Sequence, residues 1–211
     1  MTAVFLDLDG TLVDSRPGIV AALAHAFNSV GRGDLADSDL SWMLGPPLVD
    51  SFTKLGFDDP DVLLQAYRSH YIPIGMFEAE VYPGVAEVLD QLNEVGCRLY
   101  LATAKPHAYA RKVTAHFGLA PKLSQEFGPE LDGTNNWKGD LLRMALAETG
   151  EDPARSVMVG DRHHDMAAAV DVGMSAIAVT WGYGQPDEWE TANAQIDTPD
   201  ALPQAIAALN L

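Results

Sequence analysis

One apolar run, residues 3–8, stands near the amino terminus, and no second convincing strand follows it until Arg98. A short continuous apolar run that ends in acidic residues and glycine reads as a buried strand entering a loop. Between these two strands the rhythm is helical. From Pro17, with Ser15 as a cap, Ile19, Val20, Leu23, Phe27 and Val30 recur at helical spacing until Gly31 stops the pattern. Further helical segments are predicted over about 39–44, 48–55 and 61–71, broken by Gly45-Pro46-Pro47 and Gly56.

After Tyr82-Pro83-Gly84 strands and helices alternate. The pattern predicts helices over 85–95, 106–117, 137–149, 166–172 and about 201–209, with strands over 98–103, 156–159 and 176–180. Such alternation argues for an α/β fold, a Rossmann-like parallel sheet with helices on both faces. Because one strand precedes the helical block and the others follow it, the block reads as an insertion. The expected domains are residues 1–15 with 81–211 as the sheet domain, and 16–80 as a helical one.

Charge narrows the partners. Thirteen Lys and Arg against thirty Asp and Glu give a formal net charge of −17, which repels nucleic acid and anionic membrane alike. No apolar run approaches the roughly 20 residues that span a bilayer, and no basic region precedes an apolar stretch at the amino terminus, so a cytoplasmic protein is expected. Cys97 is the single cysteine; within Cys97-Arg98-Leu99-Tyr100-Leu101 it reads as a buried thiol and not a nucleophile.

An acidic protein that handles an anionic substrate needs locally placed cations, and two acidic pairs show where. In Asp7-Leu8-Asp9-Gly10-Thr11, residues two apart on a strand share a face, so Asp7 and Asp9 are expected side by side at its carboxyl end. Open α/β sheets bind ligands at that edge. Gly160-Asp161 ends another strand, and Asp165 follows one turn later. Neighbouring carboxylates repel unless a cation or shared proton relieves them. Hard oxygen ligands without a dedicated His or Cys set suit Mg2+. Thr103, Ala104 and Lys105 end the strand between, and Lys138 begins a predicted helix, supplying donors of the kind phosphoryl transfer requires.

These residues resemble the haloacid dehalogenase superfamily, through Asp7-Leu8-Asp9-Gly10-Thr11, Thr103, Lys138 and Gly160-Asp161 to Asp165, in the right order along nearly the whole chain. Within it the chain looks like the phosphoglycolate phosphatase-like branch, with a helical cap at 16–80; Leu44-Gly45-Pro46-Pro47-Leu48, Leu131-Asp132-Gly133-Thr134 before Lys138, and Trp181-Gly182-Tyr183-Gly184 extend the likeness to 5′-nucleotidases. The resemblance implies that Asp7 attacks phosphorus to form an aspartyl-phosphate and that Asp9 is the general acid and base. It implies that Gly10, Thr11, Thr103, Ala104 and Lys138 form the phosphate-binding set, Gly10 also letting the loop turn and Thr11 supporting it. Mg2+ would be bound by Asp7, the Asp9 backbone carbonyl and Asp161, with Asp165 orienting a ligand water. Asp9, absent from dehalogenases, and Gly10, where transport ATPases carry Lys, both point to ester hydrolysis.

The implied partner is a small phosphorylated metabolite, and the protein a monomer or homodimer. Phosphoglycolate leads, followed by a nucleoside monophosphate, then a β-phosphoglucomutase-like phosphosugar mutase, then a non-catalytic phospho-acceptor module. Lys105 competes with Lys138 for the phosphate, Lys138 being favoured by its Asp-Gly-Thr context. Adjacent helical residues diverge by about 100°, so His163 and His164 are expected in solvent-facing or supporting roles, and His107 and His116 on the surface. Met158, Met166 and Met174 read as core filler. Two readings stay open for Pro46-Pro47, helix terminator or substrate-facing loop, and for Trp181-Gly182-Tyr183-Gly184, packing turn or catalytic rim. Arg16, Lys54 and Arg68 read as exposed charge rather than as binders of a substrate carboxylate.

Overall fold

A computed structural model describes residues 1–45 and 47–211; Pro46, and with it half of the Pro46-Pro47 question, lies outside the described residues. The chain runs β1 (Ala3–Leu6), β2 (Val13–Asp14), α1 (Arg16–Ser29), α2 (Leu48–Lys54), α3 (Pro60–Tyr71), β3 (Glu80–Val81), α4 (Val85–Glu94), β4 (Arg98–Ala102), α5 (His107–His116), β5 (Gln125–Phe127), α6 (Lys138–Thr149), β6 (Ser156–Gly160), α7 (His163–Val172), β7 (Ser175–Val179), β8 (Ala194–Ile196) and α8 (Leu202–Ala208). It divides into two compact units, Met1–Asp14 with Val81–Leu211, and Ser15–Glu80. No helix among the described residues is long and apolar enough to cross a membrane.

The larger unit is built on a parallel sheet ordered β5-β4-β1-β6-β7-β8. The fold is α/β, as the alternation predicts. β1 lies in the middle because all four of its side chains are buried, the mark of a parallel strand covered on both faces. On one face Phe5, Tyr100, Phe127 and Met158 pack with Leu141 and Leu142 of α6 and Met166 of α7, and Phe5 stacks on Tyr100 at 4.9 Å. Met158, Met166 and Met174 belong to this core. The alternate side chains Val4, Leu99, Leu101, Val157 and Ile177 are buried too. From β1 the chain's strands lie to both sides, β4 on one and β6 on the other, and this switch of direction opens a crevice at their carboxyl ends.

The smaller unit is helical. α1 packs on α3, and α2 on α3. Phe27, Phe52 and Phe57 form a ring cluster with centroids 6.1–6.5 Å apart. Gly18 permits a backbone contact there: a Cβ on it would lie 1.8 Å from the Gly75 carbonyl oxygen.

Several boundaries differ from the sequence expectation. β1 stops at Leu6, two residues early, because the backbone of Leu8 turns into a tight loop. The helix expected near 39–44 is only a 3-10 turn, Ser41–Met43. β5 and β8, which no pattern announced, are three-residue strands at the two edges of the sheet carrying Gln125, Glu126 and Gln195; so short a run shows no periodicity. Cys97 is half-buried, not buried.

Candidate active site

The first acidic loop is held by its own backbone. Asp7 follows β1 directly, and its N–H donates to the Val159 carbonyl of β6 at 2.9 Å, fixing it beside that strand. The Leu8 carbonyl accepts from Thr11 (3.3 Å), Leu12 (2.9 Å) and Val13 (3.0 Å), while the Gly10 N–H donates to Val13. So sharp a turn puts Gly10 at φ +80°, which favours glycine, and a Cβ there would lie 2.4 Å from Asp161 Oδ2.

The second acidic pair is wholly buried, Asp161 at 0% and Asp165 at 1% exposure. Asp161 Oδ2 accepts from the Tyr183 N–H at 2.6 Å, and Thr11 Oγ1 donates to Oδ1 at 3.4 Å. Asp165 sits in the first turn of α7, where its Oδ2 accepts from the Arg162 N–H at 3.1 Å. That helix begins three residues earlier than expected, because the cap at Arg162 uses a residue type that carries no capping signal in a sequence. Glycine makes room for both acids: a Cβ on Gly160 would lie 2.2 Å from the Asp165 carboxyl, and one on Gly182 2.4 Å from Asp161 Cβ.

Two buried lysines answer these charges separately. Lys138 Nζ lies 2.8 Å from Asp7 Oδ1 and 2.7 Å from Asp165 Oδ1. Lys105 Nζ lies 2.7 Å from Asp9 Oδ2, and the Lys105 N–H donates to Thr103 Oγ1 at 3.2 Å. The two lysines thus stand at different acids, Lys138 at Asp7 and Lys105 at Asp9. Thr103 is buried, and Ala104 between them is exposed.

Carboxylate oxygens of Asp7, Asp161 and Asp165 lie within 4.8 Å of one another, close enough to share a metal ion. Asp7 Oδ1 and Asp165 Oδ1 are buried and, although at ion-pair distance from Lys138, make no aligned hydrogen bond. Three buried carboxylates against one lysine leave negative charge uncompensated, and an all-oxygen donor set fits a hard divalent cation. The Asp9 carboxylate stands outside this trio, against Lys105; its Oδ1 is also buried without a hydrogen-bond partner among the described residues.

Burial governs the proton affinities. It pushes Asp7 up to about 6 against the pull of Lys138, and Asp161 up to about 8, with Asp165 and Asp7 adding repulsion. Lys138 is raised despite its burial, because Asp165 and Asp7 outweigh the cost of desolvation. A carboxyl whose folded pKa exceeds its unfolded value of about 4 binds more protons when native. The contribution of these two carboxyls to the stability of the metal-free protein therefore falls as pH rises from about 4 to 8. A cation that binds the ionised carboxylates offsets that loss, so a hard divalent cation, tested as magnesium, is expected to raise Tm more at pH 8 than at pH 5. Thermal unfolding with and without magnesium at the two pH values checks this; an equal rise at both contradicts it.

His163 is exposed and His164 half-buried, which agrees with solvent-facing or supporting roles. Their rings nonetheless lie close, tilted by 43° with centroids 3.7 Å apart; His163 begins α7, and its Nδ1 lies 2.8 Å from Glu188 Oε2. His107 is half-buried, 3.9 Å from Glu130, and His116 is exposed. Lys54 lies over the Trp42 ring at 4.8 Å. Trp181-Gly182-Tyr183-Gly184 is a rim to the acidic loops: Trp181 Nε1 donates to the Thr11 carbonyl at 3.1 Å and the Tyr183 hydroxyl to Asp14 at 3.0 Å. Glu188 and Trp189, to which no sequence pattern pointed, both hydrogen-bond the loop of Asp161. Only their long-range contacts reveal them; their local pattern is that of an ordinary turn.

Residues 4–179 match the haloacid dehalogenase-like hydrolase family. The tyrosine-protein kinase PtkA of Mycobacterium tuberculosis is 37% identical over 87% of this chain, which spans 64% of that protein's length. A 5′-nucleotidase of Pseudomonas aeruginosa is 35% identical over 88% of this chain and 85% of its own. Among solved structures, a predicted phosphatase from Clostridium acetobutylicum superposes with a TM-score of 0.89 at 33% identity, covering 100% of this chain and 99% of that one. With a parallel sheet whose central strand is followed directly by Asp7 and whose neighbour is followed directly by Asp161, the chain belongs to the haloacid dehalogenase-like hydrolases.

Proposed function

We propose that this hydrolase is a magnesium-dependent phosphatase acting on small-metabolite phosphate monoesters through an aspartyl-phosphate on Asp7. The observation that carries the reading is the buried trio of Asp7, Asp161 and Asp165 with Lys138 between two of them. Thr103, Ala104 and Lys138 hold the phosphoryl oxygens; Asp7, the Asp9 carbonyl and Asp161 hold magnesium, with Asp165 supporting them. When bound, the cation neutralises charge on the phosphoryl group and on the carboxylates around it.

In the first half-reaction a carboxylate oxygen of Asp7 bonds to phosphorus as the ester P–O bond breaks, and Asp9 gives its proton to the leaving alcohol oxygen. In the second, Asp9 takes a proton from water, whose oxygen bonds to phosphorus as the P–O bond to Asp7 breaks, releasing phosphate. Two features support Asp9 in this role: Lys105 fixes its Oδ2, and its Oδ1 makes no competing hydrogen bond among the described residues. The helical unit Ser15–Glu80 interrupts the chain just after this loop, the position in sequence at which the resemblance puts a cap.

The substrate reading begins with phosphoglycolate or a similar small organic phosphate. A nucleoside monophosphate is the second reading, favoured by the name of the Pseudomonas relative. A phosphate-release screen with magnesium across phosphoglycolate, nucleoside monophosphates and sugar phosphates, compared by kcat/KM, decides between them. Release from at least one, lost on adding EDTA, is the expected result. No release from any of them, with a persistent aspartyl-phosphate, would instead indicate a phospho-acceptor.

A further inference from the structure

The loop that carries Asp161 and Asp165 is gripped from outside by the turn that precedes β8. Trp189, only 5% exposed, donates its indole Nε1–H to the Asp161 carbonyl at 2.7 Å. Next to it, Glu188 Oε2 accepts from Arg162 Nε (2.9 Å), from the His163 N–H (3.1 Å) and stands 2.8 Å from His163 Nδ1. Glu188 Oε1 in turn accepts from the Gln185 N–H at 3.2 Å, closing the turn on itself. The Asp161 carbonyl and the amide of His163 are thus both anchored, and Arg162 between them is tied to Asp165 through its own N–H.

Three buried carboxylates repel one another, and that repulsion is greatest before a cation arrives. The soft response is a tilt of the Asp161–Arg162 peptide, which would swing Asp161 away from Asp7 and Asp165. A hydrogen bond to the carbonyl of that peptide and a charged anchor on the following residue resist this tilt. Neither Trp189 nor Glu188 belongs to the carboxylate trio; their contacts act on the backbone and side chains that aim it.

We propose that Trp189 and Glu188 are positioning residues that set the cation affinity of the Asp7, Asp161 and Asp165 site by holding its second acidic loop in the binding geometry. The inference rests on the metal reading given under Proposed function. Outer partners of metal-binding groups commonly change affinity by about 10- to 100-fold when removed.

Trp189→Phe keeps an aromatic ring and deletes the donor; Glu188→Gln keeps the size of the side chain and deletes the charge. Calorimetric titration of wild type and both variants with magnesium, at a temperature where all are folded, reads the affinity directly. The expected result is a dissociation constant raised about tenfold in each variant, with the rate of phosphate release recovering as magnesium is raised to saturation. A role confined to packing lowers Tm and leaves the dissociation constant where it is in wild type. Wild-type affinity in both variants overturns the proposal, and where Trp189→Phe fails to fold, Glu188→Gln alone decides it. A wild-type protein that binds no magnesium overturns the metal reading itself, an outcome the same titration reports before any variant is compared.

Discussion

Asp7→Asn is expected to lower phosphate release by a factor of roughly 10⁴ or more while leaving the fold intact. The asparagine amide matches the carboxylate in size, and its oxygen can still face Lys138. It is not a nucleophile toward phosphorus, so the first half-reaction is lost. The substitution also removes one negative charge from a buried group of three, where burial and the neighbouring acids already raise Asp7 to about 6. The metal-free variant is therefore expected to melt at or above the wild-type temperature at pH 8. Loss of turnover together with undiminished stability separates a chemical role from a structural one. Activity within tenfold of wild type would remove Asp7 from the mechanism.

Lys138→Met carries the second large effect. Lys138 is the cation between Asp7 and Asp165, and its replacement leaves both carboxylates buried with no ammonium beside them. Breaking a buried ion pair from one side costs about 3–5 kcal/mol, and denaturant unfolding of the metal-free variant at pH 8 should read a loss of that order. The sign with pH follows from Asp7, whose carboxyl is raised by burial to about 6: near pH 5 it takes up a proton and the repulsion eases, so the loss is smaller there. Turnover is expected to fall by about 10²–10³, because on the proposed reading Lys138 is a fixed cation at the phosphoryl group. Equal stability of variant and wild type at pH 8 would mean that the ion pair does not hold in solution.

Most of the sheet was legible in the sequence for a physical reason. β1, β4, β6 and β7 are buried on both faces, so each appears as a continuous apolar run, and each of the first three is followed directly by a residue able to do chemistry: Asp7, Thr103 and Asp161. β5 and β8 were illegible because three-residue edge strands with polar side chains carry no period. The pairing of Asp7 with Asp9 on one strand face was too simple. The strand ends before either residue, and the tight loop through Gly10 sends one carboxylate toward Lys138 and the other toward Lys105.

Which lysine serves which acid is a tertiary fact. Lys105 follows β4 and Lys138 opens α6, and nothing local to either residue records the distance to Asp7. The same holds for Trp189 and its hydrogen bond to the Asp161 carbonyl. The close approach of the His163 and His164 rings was illegible for a different reason. The 100° rule assumes a helix already formed, whereas His163 is the first residue of α7 and is pulled aside by Glu188.

The most direct test of the central claim is an acid quench of the enzyme during turnover of a phosphate monoester with magnesium, followed by peptide mapping. The account predicts phosphate covalently attached to the peptide that contains Asp7, absent from Asp7→Asn and from samples quenched before substrate is added. Turnover with no covalent phosphate on that peptide, or with the phosphate on another residue, would contradict it.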